Sequence, residues 1–313
     1  MSDERLPPFV RATLVAKGLT PPYLWAVLKA LRRRRVEPEP PQPPTEPPPP
    51  EPPEWEYVPE GWARAARGWD VEAIAAAYRA KWPGFLAAAA GPGPLGVDHE
   101  VPLGEPVPRH DCDAQQAVLV FAYALLAAAA GRDHIAILDW GGGPGHYAVL
   151  AQALLPGVEL DYHSRDLPAL VALGRELLPQ HSFHDDDACL ERRYDLVLAS
   201  SSLQYARDWR SALATLARAT GAFLLATRVP VALHARSFVV LQRAHRYGYE
   251  TEYLGWVLNR DELLVAARAA GLELRREFLL PAWLSAAGAP EAPVEHRGFL
   301  FGLGIGAPRQ RCT

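Results

Sequence analysis

An acid followed by alternating glycines, Asp139-Trp-Gly141-Gly-Gly143-Pro-Gly145, is the stretch of this chain best suited to hold a ligand. Glycines leave backbone N–H groups open to close approach, because no Cβ stands in the way. The acid beside them can meet a cationic group. A second acid, Asp166, follows about twenty positions beyond Gly145, the spacing expected of a carboxylate that binds a ribose. Further on come an acidic run, His184-Asp185-Asp186-Asp187, and a stretch from Val229 to Leu258 rich in arginine, histidine and aromatic residues. Within that stretch His234 and His245 are candidate proton acceptors. Arg228, just before it, is a candidate substrate contact, because ligands of open α/β sheets sit at the carboxyl ends of strands.

Regular elements must position these groups. Ile135–Leu138 is a short apolar run that reads as a buried strand, and Tyr147–Leu155 reads as a helix. Strand, glycine turn and helix together bring N–H groups and a helix N-terminus to a ligand. The alternation continues with strand Val158–His163 and helix Leu167–Leu178, which has Pro168 in its first turn. Strands Ser182–His184, Asp195–Ala199 and Phe223–Thr227 follow, with a helix capped by Asp208 before the last of them. Alternating βα units predict a parallel sheet covered on both faces. Asn259-Arg-Asp-Glu262 is a capping box for a helix that Gly271 ends. Leu272–Leu280 and Gly298–Leu303 are then strands with only the loop Pro281–Pro293 between them. That predicts an antiparallel pair at the sheet edge.

Upstream, residues 55–130 read as a helical cover. Asp70 caps a helix that Pro83-Gly84 interrupts, and Asp113-Ala-Gln-Gln116 opens a second, strongly apolar helix. The aromatic residues of this region read mainly as core, a minority as pocket lining. Residues 37–54 are almost wholly proline and glutamate and read as an extended spacer. Within residues 1–36, Leu24, Val27, Leu28 and Leu31 share one helix face, with Arg32 to Arg35 at its end. Such a helix suits peripheral contact with an anionic membrane, or docking on a partner.

At 313 residues, 49% of them hydrophobic, the chain can bury a large core. A net charge of −4 gives no general attraction to nucleic acid. Three widely spaced cysteines form neither a metal spacing nor a disulfide framework, so no metal site is expected and a reducing cytoplasm is. The arginine cluster follows the first apolar run, which is not the order of a signal peptide.

Two registers fit the glycines. Gly143-Pro-Gly145-His-Tyr-Ala148 matches the dinucleotide pattern G-x-G-x-x-A, which would make the protein a nicotinamide-dependent oxidoreductase. That register leaves Asp139 to Gly142 between strand and fingerprint, which is too long. The register Asp139-x-Gly141-x-Gly143-x-Gly145 resembles the first motif of class I S-adenosylmethionine-dependent methyltransferases. Tyr162-His-Ser-Arg-Asp166-Leu-Pro168 resembles the Asp-Leu-Pro turn after the second strand of many O-methyltransferases. The helix-free final strand pair is similar to that fold's reversed seventh strand. The resemblance covers Gly131 to about Leu303. Glu56-Tyr-Val-Pro-Glu-Gly-Trp62, Lys81-Trp-Pro83 and Tyr247-Gly-Tyr-Glu-Thr-Glu-Tyr253 look like a group of bacterial methyltransferases associated with surface-polysaccharide gene clusters.

The resemblance implies a Rossmann-like α/β sheet, mostly parallel with one antiparallel edge strand, over residues 131–308, plus the N-terminal helical cover. It implies S-adenosylmethionine as cofactor, held by Asp139, Gly141, Gly143, Gly145 and Tyr147, with Asp166 on the ribose hydroxyls. Asp161 is a weaker alternative to Asp166. Asp185 or Asp186 would approach the adenine, and Ser200 and Ser201 would line the reacting end. The segment 229–258 would be the acceptor lid. The post-strand segment lacks the Asn/Asp-Pro-Pro-aromatic and Pro-Cys motifs of nucleobase methylation. Arginine and aromatic residues together in segment 229–258 suit a sugar or phosphate-bearing acceptor, so the expected reaction is O-methylation of a sugar, glycan-linked or other small hydroxylated acceptor. A non-catalytic adaptor of a glycan-assembly complex is the remaining rival.

Overall fold

The structure, a computed structural model, describes residues 52–69, 72–93 and 113–304. The basic helix expected within residues 1–36, the spacer as far as Glu51 and the Asp70 cap lie outside them. In chain order the elements are β1 (Trp55–Tyr57), α1 (Glu72–Ala90), α2 (Asp113–Ala129), β2 (His134–Trp140), α3 (His146–Leu154), β3 (Glu159–Arg165), α4 (Pro168–Leu177) and β4 (Ser182–His184). Then follow β5 (Tyr194–Ser200), α5 (Trp209–Ala219), β6 (Thr220–Ala232), β7 (Phe238–Arg243), β8 (Glu252–Asn259), α6 (Arg260–Ala269), β9 (Leu272–Leu284) and β10 (Val294–Leu303).

Strands β4, β3, β2, β5 and β6 lie side by side and parallel. β10 runs antiparallel beside β6, and β9 pairs antiparallel with β10. This is the mostly parallel sheet that the βα alternation predicts, with the antiparallel pair that the final two strands predict. The reversed strand β10 sits one place in from the edge, which β9 occupies. Alternate residues of β2 feed opposite faces. Ile135 and Ile137 join Phe121, Leu125, Tyr147 and Leu150 on one side. Ala136 and Leu138 join Trp209, Leu213, Leu263 and Phe299 on the other. The helix starts behave as their residue types dictate. Asp208 Oδ1 accepts from Ser211 N–H at 3.0 Å, and Asn259 Oδ1 accepts from Glu262 N–H at 3.0 Å.

Three expectations change. Helix α1 does not stop at Pro83 but runs through it to Ala90. An interior proline costs about 3 kcal/mol. Trp82 and Phe85 on either side are buried in the core, and that burial holds the helix across the break. Residues Trp55–Tyr57 are not helical: they pair antiparallel with β7. The expected lid is not a loop either, because β7 and β8 pair with each other and β8 joins the extended end of β6 at Val231 and Ala232. The apolar run Phe238-Val-Val-Leu241, with two β-branched valines, suits a buried strand, and β6 outlasts its partner β5 by enough residues to offer it an edge.

Candidate active site

The carboxyl ends of β2, β3, β5 and β6 open into a cavity of about 1010 Å³. This lies at the upper end of the range for ligand pockets and leaves room for two small ligands. One end is built by the turn after β2. Gly141 has φ +75°, and a Cβ there would strike the Ser202 side chain. Gly141 N–H donates to the Arg165 carbonyl at 2.8 Å, tying the turn to the end of β3. Gly143 N–H donates to Asp166 Oδ2 at 2.7 Å, and Leu167 N–H donates to Asp166 Oδ1 at 2.6 Å. Asp166 thus holds the glycine turn and the start of α4 together while lining the cavity. Burial raises its pKa, and the two N–H donors pull it back down.

Asp139 sits at the end of β2, fully buried. Tyr162 O–H donates to Asp139 Oδ2, whereas Oδ1 has no partner. Burial, the larger cause, and the nearby Asp166 charge push its pKa up to about 7, against the Tyr162 hydrogen bond. A Cβ on Gly142 would lie 2.5 Å from the Asp139 carboxyl and 2.8 Å from Ser164 Oγ. Gly142→Ala is therefore expected to destabilise the protein by about 1–3 kcal/mol. Urea denaturation checks this, and an unchanged midpoint would refute the close packing.

After β5, Tyr147 O–H and Ser200 Oγ share a hydrogen bond of 2.8 Å. Ser201 has φ +52° and is held by its N–H to the Thr227 carbonyl at 2.9 Å. Gln204 Nε2 donates to Ser201 Oγ and to the Arg228 carbonyl, while its buried Oε1 has no partner. Arg228 also has a positive φ, +57°. Strained residues just after β5 and within the adjacent β6 thus line one cavity, a pattern typical of functional sites. Another wall of the cavity is aromatic. Trp69 stacks on Tyr253 with ring centroids 4.0 Å apart and meets Tyr205 edge-on at 5.0 Å. Tyr78, Tyr247 and Tyr249 complete this wall, with Arg228 beside them.

Residues 113–277 match the family described as Methyltransferase domain. The chain belongs to this family. It is an enzyme, and S-adenosylmethionine is its cofactor. Among solved structures, an S-adenosylmethionine-dependent methyltransferase from Clostridium acetobutylicum is 12% identical, over 63% of this chain and 94% of that one, with a TM-score of 0.43. A 1,6-didemethyltoxoflavin-N1-methyltransferase from Burkholderia thailandensis, with bound 1,6-didemethyltoxoflavin and S-adenosylhomocysteine, is 18% identical, over 65% and 94%, with a TM-score of 0.39. No curated protein matches the chain in sequence. The family assignment replaces both the nicotinamide and the adaptor readings.

The cavity fits such a cofactor. Gln204, which lines the cavity, has a buried Oε1 acceptor without a donor, and the cofactor carries cationic groups and hydroxyls. Asp166 keeps spare lone pairs after its two backbone donors. Of the residues expected at the site, Gly141, Gly143, Tyr147, Asp166, Ser200, Ser201 and Arg228 line the cavity. Asp139 and Gly145 stand behind the turn. Gly145, with φ +98°, starts α3 and does not reach the cavity surface.

Four expected residues are placed elsewhere. Asp185 and Asp186 sit on the exposed turn after β4. Asp185 faces Arg175 at 3.8 Å, and Asp186 Oδ1 accepts from Ala188 N–H at 3.0 Å. Local pairing thus turns both away from the cavity. His234 is exposed in the turn after β6, where its N–H and its neighbours' are held by the Glu291 carboxylate. His245 is exposed on a short 3₁₀ turn between β7 and β8. Two other histidines line the cavity, His146 and His296. The sequence gives no sign of His296, because the apolar pattern of its strand begins only at Gly298. Trp55, Trp62, Trp69 and Tyr78 are the aromatic residues of the N-terminal region that reach the cavity.

Proposed function

We propose that this methyltransferase transfers the methyl group to a hydroxyl oxygen of a small acceptor, a sugar or a glycan-linked unit. The observation that carries this reading is the aromatic wall of the cavity, with Arg228 beside it. Ring faces suit the apolar faces of a sugar, and a guanidinium fork suits an acidic substituent. The net charge of −4 does not favour a nucleic acid acceptor.

When bound, S-adenosylmethionine supplies an electrophilic methyl group on a sulfonium. The chain supplies position. Asp166 and the glycine turn would hold the cofactor's ribose and methionine ends, and Ser200 to Gln204 would face its reacting end. The aromatic wall excludes water and presents the acceptor hydroxyl in line with the methyl carbon. The test is an acceptor survey, with S-adenosylhomocysteine release followed by mass spectrometry. Methyl glycosides and uronic acid glycosides are expected to be methylated on oxygen, and Arg228→Lys is expected to weaken the acidic acceptors about tenfold or more. Transfer only to nitrogen or to nucleic acid would overturn the reading.

A further inference from the structure

We propose that His296 is the general base that removes the acceptor's hydroxyl proton. This rests on the hydroxyl reading above. Two irregularities in the sheet set up the residue. Between Glu295↔Trp283 and His296↔Leu280 the β9–β10 ladder skips Pro281 and Ala282, which bulge out of β9. A proline cannot donate to the ladder, so a bulge is where a strand tolerates one. The bulge brings the Ala282 carbonyl to His296 Nδ1, at 3.2 Å. A carbonyl only accepts, so Nδ1 carries the proton and Nε2 carries the lone pair. His296 lines the cavity.

On the other side, β6 bulges at Thr227 and Arg228 where it faces Gly298 of β10. Arg228 takes its positive φ there, two residues before Pro230, the strand partner of His296. Its guanidinium is near enough to disfavour a charged imidazole. Burial first, and then Arg228, bring the His296 pKa down to about 4, with the Ala282 carbonyl acting against them. The ring is therefore neutral and ready to accept at physiological pH. Once protonated, it sheds its proton rapidly. A weak base suffices here, because a hydroxyl becomes strongly acidic as its oxygen takes on a methyl group.

In the transfer, the acceptor oxygen forms a bond to the methyl carbon while its proton passes to His296 Nε2. The bond from that carbon to sulfur breaks, and its electron pair stays on sulfur. The imidazolium then returns its proton to water. The other cavity histidine, His146, is poorly placed for this. It is 3% exposed and enclosed by the rings of Tyr78, Trp82 and Phe85.

Two measurements test the assignment. Imidazole nitrogen shifts of the 15N-labelled protein, assigned by comparison with His296→Gln, are expected to show a neutral Nδ1–H tautomer from about pH 5 to pH 9. An Nε2–H tautomer, or a charged ring at neutral pH, would overturn the proposal. The second measurement uses methyl α-D-glucopyranoside, methyl α-D-galactopyranoside and the amino sugar methyl α-D-glucosaminide as acceptor probes. His296→Gln is expected to lower kcat on hydroxyls by about 10²–10⁴-fold. KM and the cofactor dissociation constant should stay near wild type, and free imidazole should restore part of the rate to His296→Ala. If either variant retains more than about a tenth of kcat, or if the loss lies in KM alone, the base is assigned wrongly while the hydroxyl reading stands. If the wild type methylates only the amino nitrogen, both fail together.

Discussion

Asp166→Ala is expected to raise the dissociation constant for S-adenosylmethionine by about 10²–10⁴-fold. The carboxylate accepts from Gly143 N–H and Leu167 N–H and also lines the cavity, where the resemblance puts the two ribose hydroxyls. Each hydrogen bond to a charged acceptor contributes about 1.5–3 kcal/mol, and two would be lost from the ligand. The protein suffers as well. Two backbone N–H groups would be left without acceptors, at about 1–3 kcal/mol each where they stay buried. Asp166→Asn separates the effects, because its carbonyl can still accept one of the two. Isothermal titration with the alanine variant decides the matter. A dissociation constant within threefold of wild type would show that Asp166 orders the turn without touching the cofactor.

Wild-type stability is expected to fall, relative to an Asp139→Asn variant, as pH rises from about 4 to about 7. The folded pKa of Asp139 is raised to about 7 by burial, from 3.8 for a free side chain. Over that interval the folded state binds a proton that the unfolded state has lost, so raising the pH favours unfolding. Each pH unit between those two values contributes about 1.4 kcal/mol, so the full effect is roughly 4 kcal/mol at most, complete above pH 7. His146, lowered to about 3, and His296, lowered to about 4, act in the opposite sense. They are neutral when folded, so their contribution is lost as pH falls below their unfolded value of 6.5. Comparing wild type with Asp139→Asn in chemical denaturation cancels the histidines and isolates the carboxyl. A difference that stays flat with pH would show that the buried carboxyl titrates normally. A cationic ligand stabilises the ionised form, so cofactor binding near pH 6 is expected to release protons. Titration in two buffers of different ionisation enthalpy reads that release.

The sequence by itself determined the framework. Short apolar runs, glycine turns and side-chain caps act within a few residues, so β2, α3, β3, Asp208 and Asn259 could all be read from their neighbours in the chain. The same holds for the end of the candidate site that the glycine turn builds. Asp139, the glycines and Asp166 are spaced by one βα unit, and a parallel sheet returns every such unit to the same edge. Tertiary structure decided the other end. Whether a histidine reaches the cavity depends on ladder register, and two bulges in β9 and β6 aim His296 and Arg228. His234 and His245 have the right chemistry in the right segment, yet that segment folds into strands whose connecting turns carry both outward. The acidic run after β4 was likewise diverted, by an arginine and by its own turn. The glycine turn could be read from the chain because its contacts are local and repeat with the fold. The position of the acceptor's base could not, because it depends on pairings between strands far apart in sequence.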